Sequence, residues 1–193
     1  MEQERLVLVD EEDREVGIAG KLAAHEGGLL HRAFSIFVVN GAGELLLQRR
    51  ATSKYHCGGL WSNTCCGHPR PREPLVAAAR RRLREEMGFD CALTHASTVR
   101  YRLALDGGLV ENELDHVFVG RWDGAPSPDP READAWRWIG REALAAWTAE
   151  APGELTPWFR LIVGALGGSI WSPGAADPFR AAAGASRTPP SCR

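Results

Sequence analysis

Short blocks of apolar residues separated by polar turns organise this chain. Leu6–Val9 is a brief, nearly continuous apolar run, the pattern of a buried strand. Asp10–Glu15 is a polar turn, and Val16–Ala19 is placed to pair back on the first run. Ala33–Val39 is a stronger strand, rich in Phe, Ile and Val. Asn40-Gly41-Ala42-Gly43 follows as a turn signal, and Glu44–Gln48 completes a hairpin. His56–His68 is rich in Gly and Cys and reads as loop with one short strand. Pro74–Met87 has the clearest helical period. Leu75, Ala79, Leu83 and Met87 recur every four residues as one stripe; Pro74 suits the first helical position and Gly88 the residue past the end. Val99–Leu105 and Leu109–Gly120 read as strands around Asp106-Gly107-Gly108. A proline-rich loop, Asp123–Arg131, precedes a strand at Ala133–Ile139, then helices at Arg141–Glu150 and Pro157–Leu166.

Strands with helices spaced between them predict an α/β (α+β) domain with a mixed sheet. The 193 residues suit one domain, taken as 1–171. From Ser172 to 193 the chain is Ala, Gly, Pro and Ser with little to bury, which predicts a disordered tail. Apolar residues at 44% and charged residues at 25% exclude a wholly disordered or collagen-like chain. A net charge of -2 argues against a general nucleic-acid or membrane binder. The longest strongly apolar run, Leu161–Leu166, is far short of a membrane span, and the acidic N-terminus is unlike a secretory signal. Five cysteines, two of them adjacent (Cys65 and Cys66), argue for reduced thiols in a cytosol.

The stretch from Gly67 to Phe89 resembles the Nudix box. That pattern is a Gly, five residues, Glu73, seven residues, and then R-E-x-x-E-E-x-G. Arg81, Glu85, Glu86 and Gly88 hold their places; Arg82 stands where the pattern has Glu. Arg82, Glu85 and Glu86 lie three and four apart, so they share one face near the helix end. Carboxylates on such a face can hold hard cations, which in turn neutralise a diphosphate. A guanidinium at 82 subtracts a ligand and adds positive charge. Diphosphate binding is expected, and cleavage is disfavoured.

Three further segments are similar to the type I isopentenyl-diphosphate isomerases, which are built on the Nudix fold, a mixed sheet sandwiched by helices. They are Lys21–His25 with Leu30–Ser35, Leu60–Pro69 (containing W-S-N-T-C-C-G-H-P), and Val110–Leu114 (containing E-N-E). The likeness runs from about Leu6 to about Val163. It implies interconversion of isopentenyl and dimethylallyl diphosphate, with a double bond moved by protonation and deprotonation. It also implies metal ligation by His25, His31, His68, Glu111 and Glu113. Glu111 and Glu113 are two apart, so on a strand they face the same way. Three imidazoles with two carboxylates suit Mn²⁺ or Zn²⁺ better than Mg²⁺. A Mg²⁺ on Glu86 would bridge to the diphosphate.

By the same resemblance Cys66 and Glu113 are the proton-transfer pair, with Tyr101 assisting the carboxylate. Trp158 is placed near the carbocation, where a desolvated cation-π contact is worth about 2 kcal/mol. Trp61 is a candidate for the same pocket. Lys21, Arg50 and Lys54 match phosphate-binding cations. His56, His95 and His116 match no ligand and read as structural or surface residues, as do Cys57, Cys65, Cys91 and Cys192. Where the family has Pro-Gly, this chain has Gly58-Gly59, which predicts a looser pocket edge. The competing readings are a Nudix hydrolase of a nucleotide or other diphosphate, and a non-catalytic Nudix-fold sensor.

Overall fold

Nine strands and four α-helices form along residues 4–54 and 56–171, the part of the chain that the computed structural model describes. The tail expected from Ser172, and Cys192 within it, lie outside the described residues. β1 (Arg5–Val9) and β2 (Glu15–Gly20) pair antiparallel across the Asp10 turn. A short helix, α1 (Lys21–Gly27), then leads into β3 (His31–Val39). β4 (Leu45–Arg50), β5 (Trp61–Ser62) and β6 (Cys65–Gly67) precede α2 (Leu75–Met87). β7 (Leu93–Ala104) and β8 (Val110–Arg121) follow, then β9 (Ala133–Ile139), α3 (Arg141–Glu150) and α4 (Pro157–Leu166).

Local patterning placed most of these elements, but not their partners. β3 and β4 meet at a single pair, Val39 with Leu45, so the expected hairpin is only a corner. β3 runs instead parallel to β8 from His31–Glu113 to Val39–Arg121, and β4 pairs antiparallel with β9. The segment His56–His68 holds two short strands, not one. β5 adds to β4, while β6 pairs with β3. β7 begins six residues before the expected Val99, because its polar residues pair with β8 and leave a solvent-facing side. α1 carries no apolar stripe long enough to announce itself.

β3 is covered on both faces, which is why eight of its nine positions are buried. Ala33, Ser35, Phe37 and Val39 share one face; Phe34, Ile36 and Val38 share the other. Phe34, Ile36 and Val38 pack with Ala79, Leu83 and Met87 of α2. Phe37 and Val39 pack with Val117, Phe159 and Ile162, beneath α4. The helices therefore sandwich the sheet, and the chain has the α+β architecture expected of it.

The start and end of α2 follow from single residues. Pro74 precedes the helix as its cap, one position earlier than expected; lacking an N–H, it leaves no donor unsatisfied there. Gly88 ends the helix in the left-handed region at φ 74°, with its N–H bonded to the Arg84 carbonyl. A Cβ at Gly88 would also lie 2.4 Å from the Ser127 carbonyl oxygen. Both constraints favour glycine at this position.

Candidate active site

The polar ends of β3, β6, β7 and β8 meet on one face and build a pocket of about 620 Å³, counted out to its open mouth. Register decides its walls. His31 pairs with Glu113, Glu113 with Tyr101, and Ser35 with Cys66, so these side chains point the same way. Cys65 pairs with Ile36 and turns into the core beneath α2. Of the vicinal cysteines, only Cys66 lines the pocket.

One wall is a histidine–carboxylate cluster. Candidate ligand atoms of His25, His31, His68 and Glu113 all lie within 4.8 Å of one another. His25 Nδ1 faces the Lys21 carbonyl at 2.6 Å and His31 Nδ1 the Leu29 carbonyl at 2.8 Å, which directs both Nε2 atoms inward. His31 Nε2 is buried without a hydrogen-bond partner. Such an inward-facing nitrogen, beside two more imidazoles and a carboxylate, fits a divalent cation. Glu111 adjoins the cluster, with one oxygen 3.0 Å from His25 Nε2 and the other 3.3 Å from His56 Nε2. His56 is thus a pocket residue, which corrects its reading as a structural or surface histidine. His95 is exposed, and His116 pairs with Asp13 on the opposite face of the sheet.

The carboxylates of this wall are driven apart electrostatically. Burial alone would raise Glu113, but the His31 imidazole 3.4 Å away and the hydrogen bond with His68 hold it well below the usual carboxylate range. Glu111 is raised by burial and by the charge of Glu113. His68 loses some basicity to burial, yet Glu113 and Glu4 outweigh this and lift it to about 9. Tyr101 donates a hydrogen bond to Glu113 and is pushed well above its usual range by burial and that carboxylate.

Cys66 stands on another wall. Its thiol donates to Asn63 Oδ1 at 3.1 Å and lies 3.7 Å from Ser35 Oγ. Asn63 cannot turn, because its amide nitrogen is committed to the carbonyls of Ile36 and Cys65. Burial, and then the nearby Asp115 carboxylate, push the Cys66 thiol up to about 12. Trp158, on the first turn of α4, lines the same pocket, its indole N–H held by Ser62 Oγ at 3.1 Å.

Cations line the pocket on its remaining sides. Lys21, Arg50, Lys54 and Arg82 all face it. The Arg50 guanidinium lies 5.2 Å above the Trp158 ring, and its Nε is buried without a hydrogen-bond partner. Lys21 pairs with Glu4 at 2.8 Å, and Lys54 with Glu132. Arg82 pairs with Glu86, with Glu85 at 2.9 Å and with Glu132 at 3.3 Å. Glu86 is buried and also accepts a bond from Gln48. The Nudix-box departure therefore puts a guanidinium where it neutralises the box carboxylates and faces the pocket.

Trp61 does not line this pocket. Its ring packs on Trp147 at 5.7 Å beneath the Arg137 guanidinium, while its carbonyl accepts the Thr156 N–H that precedes Trp158. The Gly58-Gly59 edge is also better held than its glycines suggest. Gly59 and Leu60 exchange hydrogen bonds with Arg50, and a Cβ at Gly58 would sit 2.8 Å from the Thr52 carbonyl. Glycine there permits a close backbone approach. Asp115, Ser35, Asn63 and Glu4 escaped sequence reasoning. For Asp115 a signal existed: Glu111, Glu113 and Asp115 repeat at the strand period.

Fold and pocket together define a Nudix-type domain, and a NUDIX domain model matches residues 29–159. Solved structures show the same fold: DR0079 of Deinococcus radiodurans superposes with a TM-score of 0.70 at 23% identity, covering 84% of this chain and 98% of that one. The MutT protein of Methanosarcina mazei gives 0.58 at 21% identity, over 70% and 91%. Curated relatives are closer in sequence. The isopentenyl-diphosphate Delta-isomerase of Burkholderia multivorans is 56% identical over 161 residues, 83% of this chain and 92% of the relative. That of Serratia proteamaculans is 49% identical over 164 residues, 85% and 92%. The chain belongs to the isopentenyl-diphosphate Delta-isomerase family. Among the described residues, no helix is long and apolar enough to cross a membrane.

Proposed function

We propose that this protein interconverts isopentenyl and dimethylallyl diphosphate, supplying isoprenoid precursors, with Cys66 and Glu113 as the proton-transfer pair. The observation that supports this is one cavity lined by a thiol, a carboxylate in a histidine cluster, an indole and four cations. The reaction adds a proton to the terminal alkene carbon and removes another two carbons away, through a tertiary carbocation. No bond to phosphorus breaks, and one proton enters for each that leaves. One of the two groups donates and the other accepts; in the reverse direction the roles exchange. Tyr101 holds the Glu113 carboxylate in place, and Trp158 presents its indole to the cationic carbon.

Lys21, Arg50, Lys54 and Arg82 bind the diphosphate. The buried Arg50 Nε supplies a donor that a phosphate oxygen would satisfy. His25, His31, His68, Glu111 and Glu113 would hold Mn²⁺ or Zn²⁺, since imidazole-rich sets disfavour Mg²⁺. Bound there, the cation favours the ionised form of Glu113. Glu86 would hold Mg²⁺ together with the diphosphate, which requires Arg82 to give way to the ion or to turn toward the phosphates.

The decisive assay incubates purified protein with isopentenyl diphosphate, Mg²⁺ and Mn²⁺. Dimethylallyl diphosphate should form without release of phosphate or pyrophosphate. Phosphate release instead would establish the hydrolase reading, which Arg82 at the box position disfavours. Binding without either product would establish the sensor reading. Metal analysis of protein purified without chelator should find about one Mn or Zn per chain, and His31→Ala should remove it.

A further inference from the structure

Asp115 has no part in the chemistry described above. It is 1% exposed on β8, two residues beyond Glu113 and on the same face. Unlike Glu111 and Glu113, it meets no histidine of the cluster. One oxygen, Oδ2, accepts from Ser35 Oγ at 2.7 Å and flanks the Tyr101 hydroxyl at 3.3 Å. The other, Oδ1, is buried with no hydrogen-bond partner. A buried carboxylate with half its capacity unmet is costly to maintain, and apolar residues would fill the site more stably. Packing alone therefore does not account for it.

Its two partners lead to the two proton-transfer groups. Tyr101, beside Oδ2, gives its one proton to Glu113. Ser35 lies 3.7 Å from Cys66 Sγ, directly across the β3–β6 ladder. Because Ser35 gives its single proton to Asp115, it turns a lone pair toward the thiol. Asn63, locked by two backbone carbonyls, presents a second acceptor to the same sulfur. A line of polar contacts thus runs from Asn63 through Cys66, Ser35 and Asp115 to Tyr101 and Glu113, with the single thiol proton facing two acceptors. Removing its middle would free the Ser35 hydroxyl to rotate and take away the oxygen that flanks the Tyr101 hydroxyl.

We propose that Asp115, acting with Ser35, is a positioning residue for the isomerisation: its buried Oδ2 fixes the Ser35 hydroxyl beside Cys66 and the Tyr101 hydroxyl beside Glu113, and so sets the two proton-transfer groups relative to each other. This rests on the isomerase reading above.

The test measures kcat and KM for isopentenyl diphosphate, with thermal melts to establish folding. Wild-type inactivity would refute the isomerase reading itself; the variants address Asp115 only against an active wild type. Asp115→Ala should lower kcat about 100-fold, the scale of an ångström of misplacement, with KM held within about twofold. Asp115→Asn can keep the Ser35 bond and the Tyr101 contact through its carbonyl and place its NH₂ where Oδ1 has no partner. It should recover most of the lost kcat. Ser35→Ala, a smaller change, should lower kcat about tenfold and carries the test if Asp115→Ala does not fold. Wild-type kcat in Asp115→Ala or in Ser35→Ala would overturn the proposal. So would an Asn variant as poor as Ala, which would mean that charge, not position, matters. A rise in KM at constant kcat would assign Asp115 to substrate binding and overturn it as well.

Discussion

Reversing the charge at Arg82 probes both the stability and the chemistry of the box helix. In the native protein its guanidinium faces three carboxylates, Glu85, Glu86 and Glu132, of which Glu86 is buried. Arg82→Glu leaves these three beside a fourth, with Lys54 still paired to Glu132 and Arg81 to Glu85 but no cation paired with the buried Glu86 among the described residues. Removing one partner from a buried pair costs about 3–5 kcal/mol, and at this chain length each kcal/mol moves Tm by about 2–4 °C. The variant should therefore melt roughly 6–20 °C below wild type in EDTA. The swap also completes the Nudix carboxylate set, so Mg²⁺ should recover part of the loss. At ten times Kd the ion contributes about 1.4 kcal/mol, or roughly 3–6 °C. Differential scanning fluorimetry in EDTA and in Mg²⁺ reads both effects, and a phosphate-release assay on isopentenyl diphosphate reads any hydrolysis. An unchanged Tm in EDTA would refute the view that Arg82 neutralises this cluster. A Mg²⁺ response no larger than that of wild type would refute the idea that the missing carboxylate is what limits metal binding there.

Cys66→Ala and Glu113→Gln should each lower kcat by about 10²–10⁴, the usual contribution of a positioned proton-transfer group, with far-UV circular dichroism unchanged; full activity in either would sink the assignment. With its thiol raised to about 12, metal-free Cys66 is ionised to about one part in 10⁴ at pH 8. Iodoacetamide should therefore label it about a thousandfold more slowly than free cysteine, and the rate should climb tenfold per pH unit until it approaches that value; peptide mass spectrometry distinguishes it from the other thiols. Gly88→Ala must hold a Cβ in the left-handed region and 2.4 Å from the Ser127 carbonyl. A loss of about 2–4 kcal/mol, read as a lower urea midpoint, is expected, and a neutral effect would contradict the close approach.

Local periodicity was enough for the elements whose patterns are self-contained. The α2 stripe Leu75, Ala79, Leu83 and Met87, with Pro74 before it and Gly88 after it, could only be a helix of that length. The alternation of Glu111 and Glu113 put both on one strand face wherever β8 paired. Segments without a period of their own were left unassigned or misread. α1 is too short to show one, and His56–His68 forms two strands because β3 and β4 offer different edges to it.

Sequence by itself determined the alternation of strands and helices, the spacing of the box, and the identity of most residues able to bind a diphosphate or a cation. Each of these is a property of neighbours along the chain, set by 2.0- and 3.6-residue periods and by side-chain chemistry. Tertiary structure alone decided that β3 lies parallel to β8, that Cys65 turns to the core while Cys66 meets Ser35, and that His56 enters the pocket while Trp61 leaves it. It also decided that Asp115 lies between the two walls. Those outcomes depend on which strands pair and in what register; shifting any pairing by one residue would send every side chain to the opposite face.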